Sequence, residues 1–98
     1  YKGLQATMGK EKVSTSVRLF MVPGMGHCGG GQGPNEFDMI SALDQWRDKG
    51  QAPAQVLATQ SNEGTVVRTR PLCPFPQIAK YKGSGSVDKA ENFACTAP

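Results

Sequence analysis

The chain has 98 residues, which is enough for one small domain and too few for two. Its net charge of +3 is small, and basic and acidic residues are interleaved without a basic face, so a nucleic-acid partner is not expected. The longest unbroken apolar run, Leu19–Val22, is far too short to cross a bilayer, so no membrane partner is expected either.

The N-terminal segment predicts the last turns of a helix. Tyr1, Leu4 and Met8 recur at helical spacing, and Gly9 is a typical helix stop. The polar segment Lys10–Ser16 is expected to be a loop. Because the helix tail has no cap and no initiator Met precedes it, we expect the chain to be truncated at its N-terminus.

The segment Val17–Val22 predicts a β-strand. Its last four residues are apolar in sequence, so both faces are expected to be buried, as in a sheet covered by helices on both sides. Pro23 ends the strand. The six glycines between Gly24 and Pro34 predict a flexible loop without regular structure.

The next predicted element is a helix over Glu36–Lys49. Asn35 is the expected N-cap and Gly50 the expected C-terminal glycine. One apolar stripe at helical spacing is expected to face the core; it consists of Phe37, Ile40, Leu43 and Trp46.

Two short strands follow, Gln55–Thr59 and Thr65–Arg70, with a turn at Asn62–Gly64. Three prolines from Pro71 onward argue against a further central strand, so the tail to Pro98 is expected to be irregular. Strands and a helix in this order predict the α/β class.

The three cysteines are Cys28, Cys73 and Cys95, and none forms a C-x-x-C pair. A zinc site or a thioredoxin-type site is therefore not indicated. In an oxidising compartment an odd count leaves one disulfide and one thiol whose partner lies elsewhere. The spacing alone does not say which cysteine is the odd one.

The single histidine, His27, lies in the glycine-rich loop directly after the predicted strand. Histidine is suited to moving protons near neutral pH, and serine hydrolases on a doubly wound sheet carry their catalytic His on such a loop, after the nucleophile and the acid. This chain has no G-x-S-x-G segment, and Glu11 is the only acid before His27. Either the nucleophile and acid precede Tyr1, or His27 is a loop histidine without a chemical role.

The loop also spells G-x-G-x-x-G over Gly24–Gly29, a pattern typical of dinucleotide sites. In those sites the glycines open a helix whose N-terminus faces the pyrophosphate. Here Gly30, Gly31, Gly33 and Pro34 prolong the loop, which argues against a dinucleotide site.

Several unusual motifs in the chain resemble those of the tannase and feruloyl esterase family. The resemblance to its bacterial members is especially strong. The motifs of the first half are Val22-Pro23-Gly24-Met25-Gly26-His27-Cys28, Gly33-Pro34, Phe37-Asp38 and Trp46 followed by Gly50-Gln51-Ala52-Pro53. Those of the second half are Arg70-Pro71-Leu72-Cys73-Pro74-Phe75-Pro76, Tyr81-Lys82-Gly83-Ser84-Gly85 and Asn92-Phe93-Ala94-Cys95. The resemblance runs from Val17 to Cys95. It implies the C-terminal segment of an α/β-hydrolase fold, with the last strands, the His loop, one amphipathic helix and a disulfide-pinned irregular tail. Residues 1–98 are then expected to be the C-terminal part of a single catalytic domain.

The resemblance also implies roles for individual residues. His27 matches the catalytic His. Cys28 matches a cysteine that forms a disulfide with the residue just before the nucleophilic Ser, and Cys73 and Cys95 match a disulfide of the C-terminus. For Cys28 the alternative is a small buried hydrophobic residue.

The function implied by the resemblance is that of a secreted or periplasmic serine esterase whose substrate is a small aromatic ester. No cofactor is implied for these residues, although a calcium ion is implied for a lid domain outside them. Since the nucleophile and acid are not present, we expect the 98-residue chain alone to be inactive. The alternatives are a small secreted binding domain without catalysis, or a fragment that self-associates through an exposed sheet edge and core face.

Overall fold

All 98 residues are described by the computed structural model, which contains three α-helices, one 3-10 helix and two separate two-stranded antiparallel sheets. None of the helices is both long and apolar enough to span a bilayer. The elements are α1 Lys2–Met8, α2 Lys10–Ser14, α3 Met39–Lys49, β1 Val56–Asn62, β2 Thr65–Leu72, β3 Ile78–Tyr81, the 3-10 helix Ala90–Asn92 and β4 Phe93–Thr96.

The N-terminal helix α1 ends at Gly9 as predicted, but the polar loop predicted next is wrong. Helix α2 occupies Lys10–Ser14 instead. Val13, in this helix, is only 1% exposed. Its amide donates to the Gly9 carbonyl at 3.1 Å, and its carbonyl accepts from Val17 at 2.8 Å. Burial of the Val13 side chain therefore stabilises this helical turn, although the polar sequence pattern predicts a loop.

The predicted buried strand Val17–Val22 is also wrong, because this segment forms no ladder. It pairs through one bridge, Phe20 to Pro74, beside a hydrogen bond from the Phe75 amide to the Leu19 carbonyl at 2.7 Å. The two prolines flanking Phe75 lack amide donors, which limits pairing to this point. Met21 is 58% exposed, so both faces are not buried.

Helix α3 begins at Met39, three residues later than predicted, and its N-cap is Asp38 rather than Asn35. The amides of Asn35 and Glu36 both donate to the Thr59 carbonyl at 3.0 Å, and the Glu36 carbonyl accepts from Thr59 at 2.8 Å. Residues 35 and 36 thus pair with β1 in an extended conformation, which prevents an earlier helix start.

The C-terminus of α3 agrees with the prediction, but the predicted core stripe agrees only in part. Gly50 is left-handed, with φ 69°, and its amide donates to the Trp46 carbonyl at 2.8 Å. Ile40 is 78% exposed and Leu43 is 63% exposed. Of the predicted stripe, Phe37 packs on the core formed by Val56, Ala58 and Leu72, and the other residues packed there are Phe20, Val22, Met39 and Ala42. Ile40 and Leu43 face away from this small core, because the helix packs on it through the face that carries Met39 and Ala42.

The central hairpin joins β1 to β2 through Glu63 and Gly64. Both have positive φ, 51° and 81°, as a two-residue type I′ turn requires. Both strands are longer than predicted, and β2 includes Pro71. Since β2 has a strand partner on one side only, a residue without an amide donor can be accommodated at its edge.

The tail is not irregular throughout, which corrects the prediction. Strands β3 and β4 pair from Ile78–Thr96 to Tyr81–Phe93. The prolines lie before β3, so its four residues keep their amide donors. The segment between Tyr81 and Ala90 has no helix or strand, and it lies beside β2, where Arg68 pairs with Asp88 at 3.1 Å.

Candidate functional site

His27 lies at the tip of a loop that is closed by its own backbone. The Gly33 amide donates to the Gly24 carbonyl at 3.0 Å, and the Gly26 amide donates to the Gly30 carbonyl at 3.0 Å. A bridge between Met25 and Gly31 lies between these bonds. The loop is therefore a miniature hairpin with internal hydrogen bonds, rather than the open flexible segment that its composition predicts.

The glycines allow the two sides of this loop to approach each other. A Cβ on Gly24 would lie 2.9 Å from the Gly33 nitrogen, and one on Gly31 would lie 2.7 Å from the Gly26 nitrogen and collide with the Gly24 carbonyl oxygen. Gly31 also has φ 97°, a conformation that side chains disfavour. The two sides of the loop can pair because glycine has no Cβ that would keep them apart.

At the tip, the structure brings His27 and Cys28 together. Both side chains are exposed, and the Cys28 Sγ lies 3.1 Å from the His27 Nδ1. This is the only side-chain hydrogen bond of the imidazole; no hydroxyl or carboxylate of the chain contacts it. Cys28 has φ 65°, unusual for a residue with a side chain. The alternative of a buried Cys28 is wrong, because its thiol is exposed and free.

The other two cysteines form a disulfide away from the His loop. Cys73 and Cys95 are bonded, with their Cα atoms 5.5 Å apart, which is the pairing that the resemblance implies. Cys73 follows β2 and Cys95 lies in β4, so the bond ties the pair of strands β3 and β4, here called the tail hairpin, to the central hairpin. Cys28 remains as the odd thiol.

A cavity of about 580 Å³ lies between the base of the His loop and the tail. Its walls include Met21 and Gly24 from the loop side, and Arg70, Cys73 and Phe93 from the other. His27 is not part of this wall. The sequence did not predict that Arg70 lines this cavity. The signal for it was an arginine on a predicted strand, followed by aromatic residues in the tail.

The charge of Arg70 is held in a partly desolvated environment. Its guanidinium carbon lies 3.9 Å from the centre of the Phe93 ring, and its Nη1 donates to the Val87 carbonyl at 2.8 Å. Partial burial, followed by the like charge of Arg68, lowers the pKa of Arg70 below its usual range, while Asp88 acts in the opposite direction. The Arg70 side chain thus contacts both hairpins, and its positive charge lies beside the cavity.

The calcium ion that the resemblance implies belongs to a lid domain outside these residues, and the chain itself has no matching group of ligands. No three His, Cys, Asp or Glu side chains come together. Asp38 accepts from Ser41, and Asp88 accepts from Arg68. The G-x-G-x-x-G pattern does not open a helix, as a dinucleotide site requires, since the first helix after Gly29 begins at Met39.

Comparison with known proteins gives consistent matches over nearly the whole chain. The sequence profile described as "Tannase and feruloyl esterase" matches residues 1–96. A mono(2-hydroxyethyl) terephthalate hydrolase of Piscinibacter sakaiensis is 55% identical over 85 residues, covering 84% of this chain and 14% of that protein. A probable feruloyl esterase of Arthroderma benhamiae is 37% identical over 91 residues, covering 89% of this chain and 17% of that protein. The chain thus spans about a sixth of the length of these relatives.

Solved structures give the same answer for the fold. Feruloyl esterase B from Aspergillus oryzae matches with a TM-score of 0.87 and 27% identity, over 98% of this chain and 22% of that one. An esterase from the same organism matches with a TM-score of 0.85 and 29% identity, over 98% and 23% of the two chains. The predicted fold class, a segment of an α/β-hydrolase fold, is therefore confirmed. With a family profile over residues 1–96 and relatives of this kind, the chain belongs to the tannase and feruloyl esterase family.

Proposed function

We propose that this chain is the C-terminal part of a serine carboxylic-ester hydrolase acting on esters of aromatic acids, and that His27 is its general base. The observation that carries the proposal is the exposed imidazole at the tip of a closed glycine loop, in a chain of an esterase family. The names of two relatives, a terephthalate monoester hydrolase and a feruloyl esterase, support aromatic acid esters as the substrate class.

In this mechanism the Nε2 atom of His27 removes the proton of a serine hydroxyl supplied by residues outside this chain. The serine oxygen attacks the ester carbonyl, and the imidazolium returns the proton to the departing alcohol, which leaves an acyl-enzyme. Water then repeats the sequence with His27 again as base. A carboxylate, also from outside this chain, would accept from Nδ1 and orient the ring.

Cys28 provides the means to hold the base near its nucleophile. It follows His27 directly, and its thiol is exposed and free. A disulfide from Cys28 to the nucleophile loop would restrict the position of His27, and displacements of about 1 Å can be costly in catalysis. Together with the Cys73–Cys95 bond, this chemistry supports an oxidising compartment, and we place the protein outside the cell or in the periplasm.

The 98-residue chain alone is expected to self-associate. Large apolar side chains are exposed on α3 and β1, with Ile40 at 78% and Leu57 at 55%. In the complete protein the remainder of the domain would cover these side chains, and apolar surface left exposed favours association. This observation favours association over the alternative of a monomeric binding domain. Size-exclusion chromatography tests it: a monomer at all concentrations would support the binding domain instead.

A fluorophosphonate probe tests the proposed function in the complete polypeptide that carries this chain. Such probes label serines that a histidine base activates, independently of the ester chosen as substrate. We expect labelling of the wild-type protein, and its loss in His27→Ala. The isolated chain should neither be labelled nor hydrolyse p-nitrophenyl or methyl gallate esters. Equal labelling of the wild-type protein and His27→Ala would contradict the assignment of the base.

A further inference from the structure

The cavity between the base of the His loop and the tail has the size and the wall of a site for a small organic molecule. Its volume of about 580 Å³ falls within the range of such sites, roughly 300–1,000 Å³. Most of the wall is apolar, with Leu72, Phe75 and Ile78 among its larger side chains. Arg70 is the one charged residue in the wall. A single cation in an apolar wall fixes where the polar end of a ligand would lie.

Arg70 has no carboxylate partner within the chain. Asp88 pairs with Arg68 at 3.1 Å, and no ion pair includes Arg70. The Arg70 guanidinium has five N–H donors, and its one hydrogen bond goes from Nη1 to the Val87 carbonyl. Two arginines beside one aspartate leave a net positive charge at this point of the cavity. The cavity wall therefore offers both charge and free donors to an anion.

The environment of Arg70 favours a carboxylate over other anions. Partial burial, and then the like charge of Arg68, lower the pKa of Arg70, so its charge is not fully compensated. A carboxylate would supply that compensation, and its two oxygens match the fork of a guanidinium group. A phosphate is strongly hydrated and would need more donors than this largely apolar wall provides.

We propose that this cavity binds a free carboxylic acid with an aromatic body, its carboxylate at Arg70 and its ring against the apolar wall formed by Leu72, Phe75 and Ile78. The carboxylate and the apolar body follow from the wall alone. The choice of an aromatic body rests on the proposed function, because hydrolysis of aromatic acid esters releases such acids.

Isothermal titration calorimetry of the complete polypeptide tests the site with cinnamate and with its neutral amide, cinnamamide. The protein is first treated with a fluorophosphonate, so that an activated serine is occupied before the titration. Arg70→Gln removes the cation from the wall. Lys80→Gln is the matched control, since Lys80 is an exposed cation on β3, next to the wall residue Ala79, and does not line the cavity.

We expect cinnamate to bind the wild type and Lys80→Gln with similar affinity, and Arg70→Gln about tenfold more weakly, the change that one hydrogen bond to a charged group produces. Cinnamamide should bind the wild type about tenfold more weakly than cinnamate for the same reason. This comparison needs no variant, so it decides the matter if Arg70→Gln does not fold.

Three results would overturn the inference: equal affinities for the acid and the amide, an unchanged affinity for cinnamate in Arg70→Gln, or no binding of cinnamate to the wild type. The last result would mean that the remainder of the domain fills the cavity. Cinnamate binding that depends on Arg70, in a protein whose His27→Ala form is labelled by the fluorophosphonate as strongly as the wild type, would refute the proposed function alone.

Discussion

The guanidinium of Arg70 lies 3.9 Å from the centre of the Phe93 ring, so strand β2 and strand β4 are joined by a stacked pair as well as by the nearby disulfide. The same guanidinium donates to the Val87 carbonyl. The attachments of the tail hairpin to the central hairpin therefore include a covalent bond and a partly desolvated cation.

The stacked pair should contribute measurable coupling. In a double-mutant cycle with Arg70→Gln and Phe93→Leu, we expect a coupling energy of about 0.5–1 kcal/mol, typical of a cation over an aromatic face at a partly exposed site. Urea unfolding of the four proteins measures it. Arg68→Gln with Phe93→Leu is the control cycle, since Arg68 pairs with Asp88 instead. Equal coupling in both cycles would show that the stacking of Arg70 has no specific effect.

The Cys73–Cys95 disulfide should supply a large share of the stability of the chain. The bond joins residues 22 positions apart, for which loop-closure entropy gives about 3 kcal/mol. Replacing both cysteines by serine should therefore lower the free energy of unfolding by roughly that amount. Cys28→Ser is the control and should leave the urea midpoint unchanged. Non-reducing peptide mapping that found Cys28 joined to Cys73 or Cys95 would refute this pairing.

The close approach within the His loop can be isolated with two neighbouring glycines. Gly31→Ala places a Cβ against the Gly24 carbonyl, whereas a Cβ on Gly30 meets no atom within 4 Å. Both glycines have positive φ, so both variants carry backbone strain, and the steric contact is specific to Gly31→Ala. In the complete polypeptide, Gly31→Ala should lower kcat about 100-fold through displacement of His27, and Gly30→Ala by less than about tenfold. Similar kcat values for the two variants would mean that loop closure does not position the base.

Helix α3 should lose stability in acid. Hydrogen bonds from the Ser41 amide, and then from the Ser41 hydroxyl, lower the pKa of Asp38 below its ordinary value of 3.8. A lowered folded-state pKa means that the ionised carboxylate stabilises the fold above pH 3.8, and that this contribution is lost as the pH falls from there through the folded-state pKa. Asp38→Asn should flatten the fall of Tm over this acid range, whereas Asp44→Asn, on the same helix but outside the cap, should not. Identical pH profiles for wild type and Asp38→Asn would contradict this account.

Features set by neighbouring residues could be predicted from the sequence. The turn at Asn62–Gly64 and the helix end at Gly50 follow from local chemistry, because a left-handed backbone is needed there and glycine supplies it. The position of His27 on a loop after an apolar segment also follows from the order of residues. The closure of that loop could not be predicted, because it depends on which glycines meet across it.

Features set by distant residues were predicted wrongly. The ladder expected at Val17–Val22 requires a neighbouring strand, and the segment meets only Pro74 and Phe75. The start of α3 depends on Thr59, which lies more than twenty residues away and holds residues 35 and 36 extended. The positive φ of Cys28, beside its contact with His27, could not be predicted at all, because residues with a side chain rarely adopt it.

The most direct test of the central claim is kcat for His27→Ala in the complete polypeptide, measured on an aromatic acid ester. Gln32→Ala, an exposed polar substitution on the same loop, is the matched control and should keep kcat near that of the wild type. Because triad members act as a unit, we predict that His27→Ala lowers kcat by roughly 10⁴-fold or more, with KM nearly unchanged and the thermal midpoint intact. A folded His27→Ala protein that retained most of the wild-type kcat would show that the general base lies elsewhere.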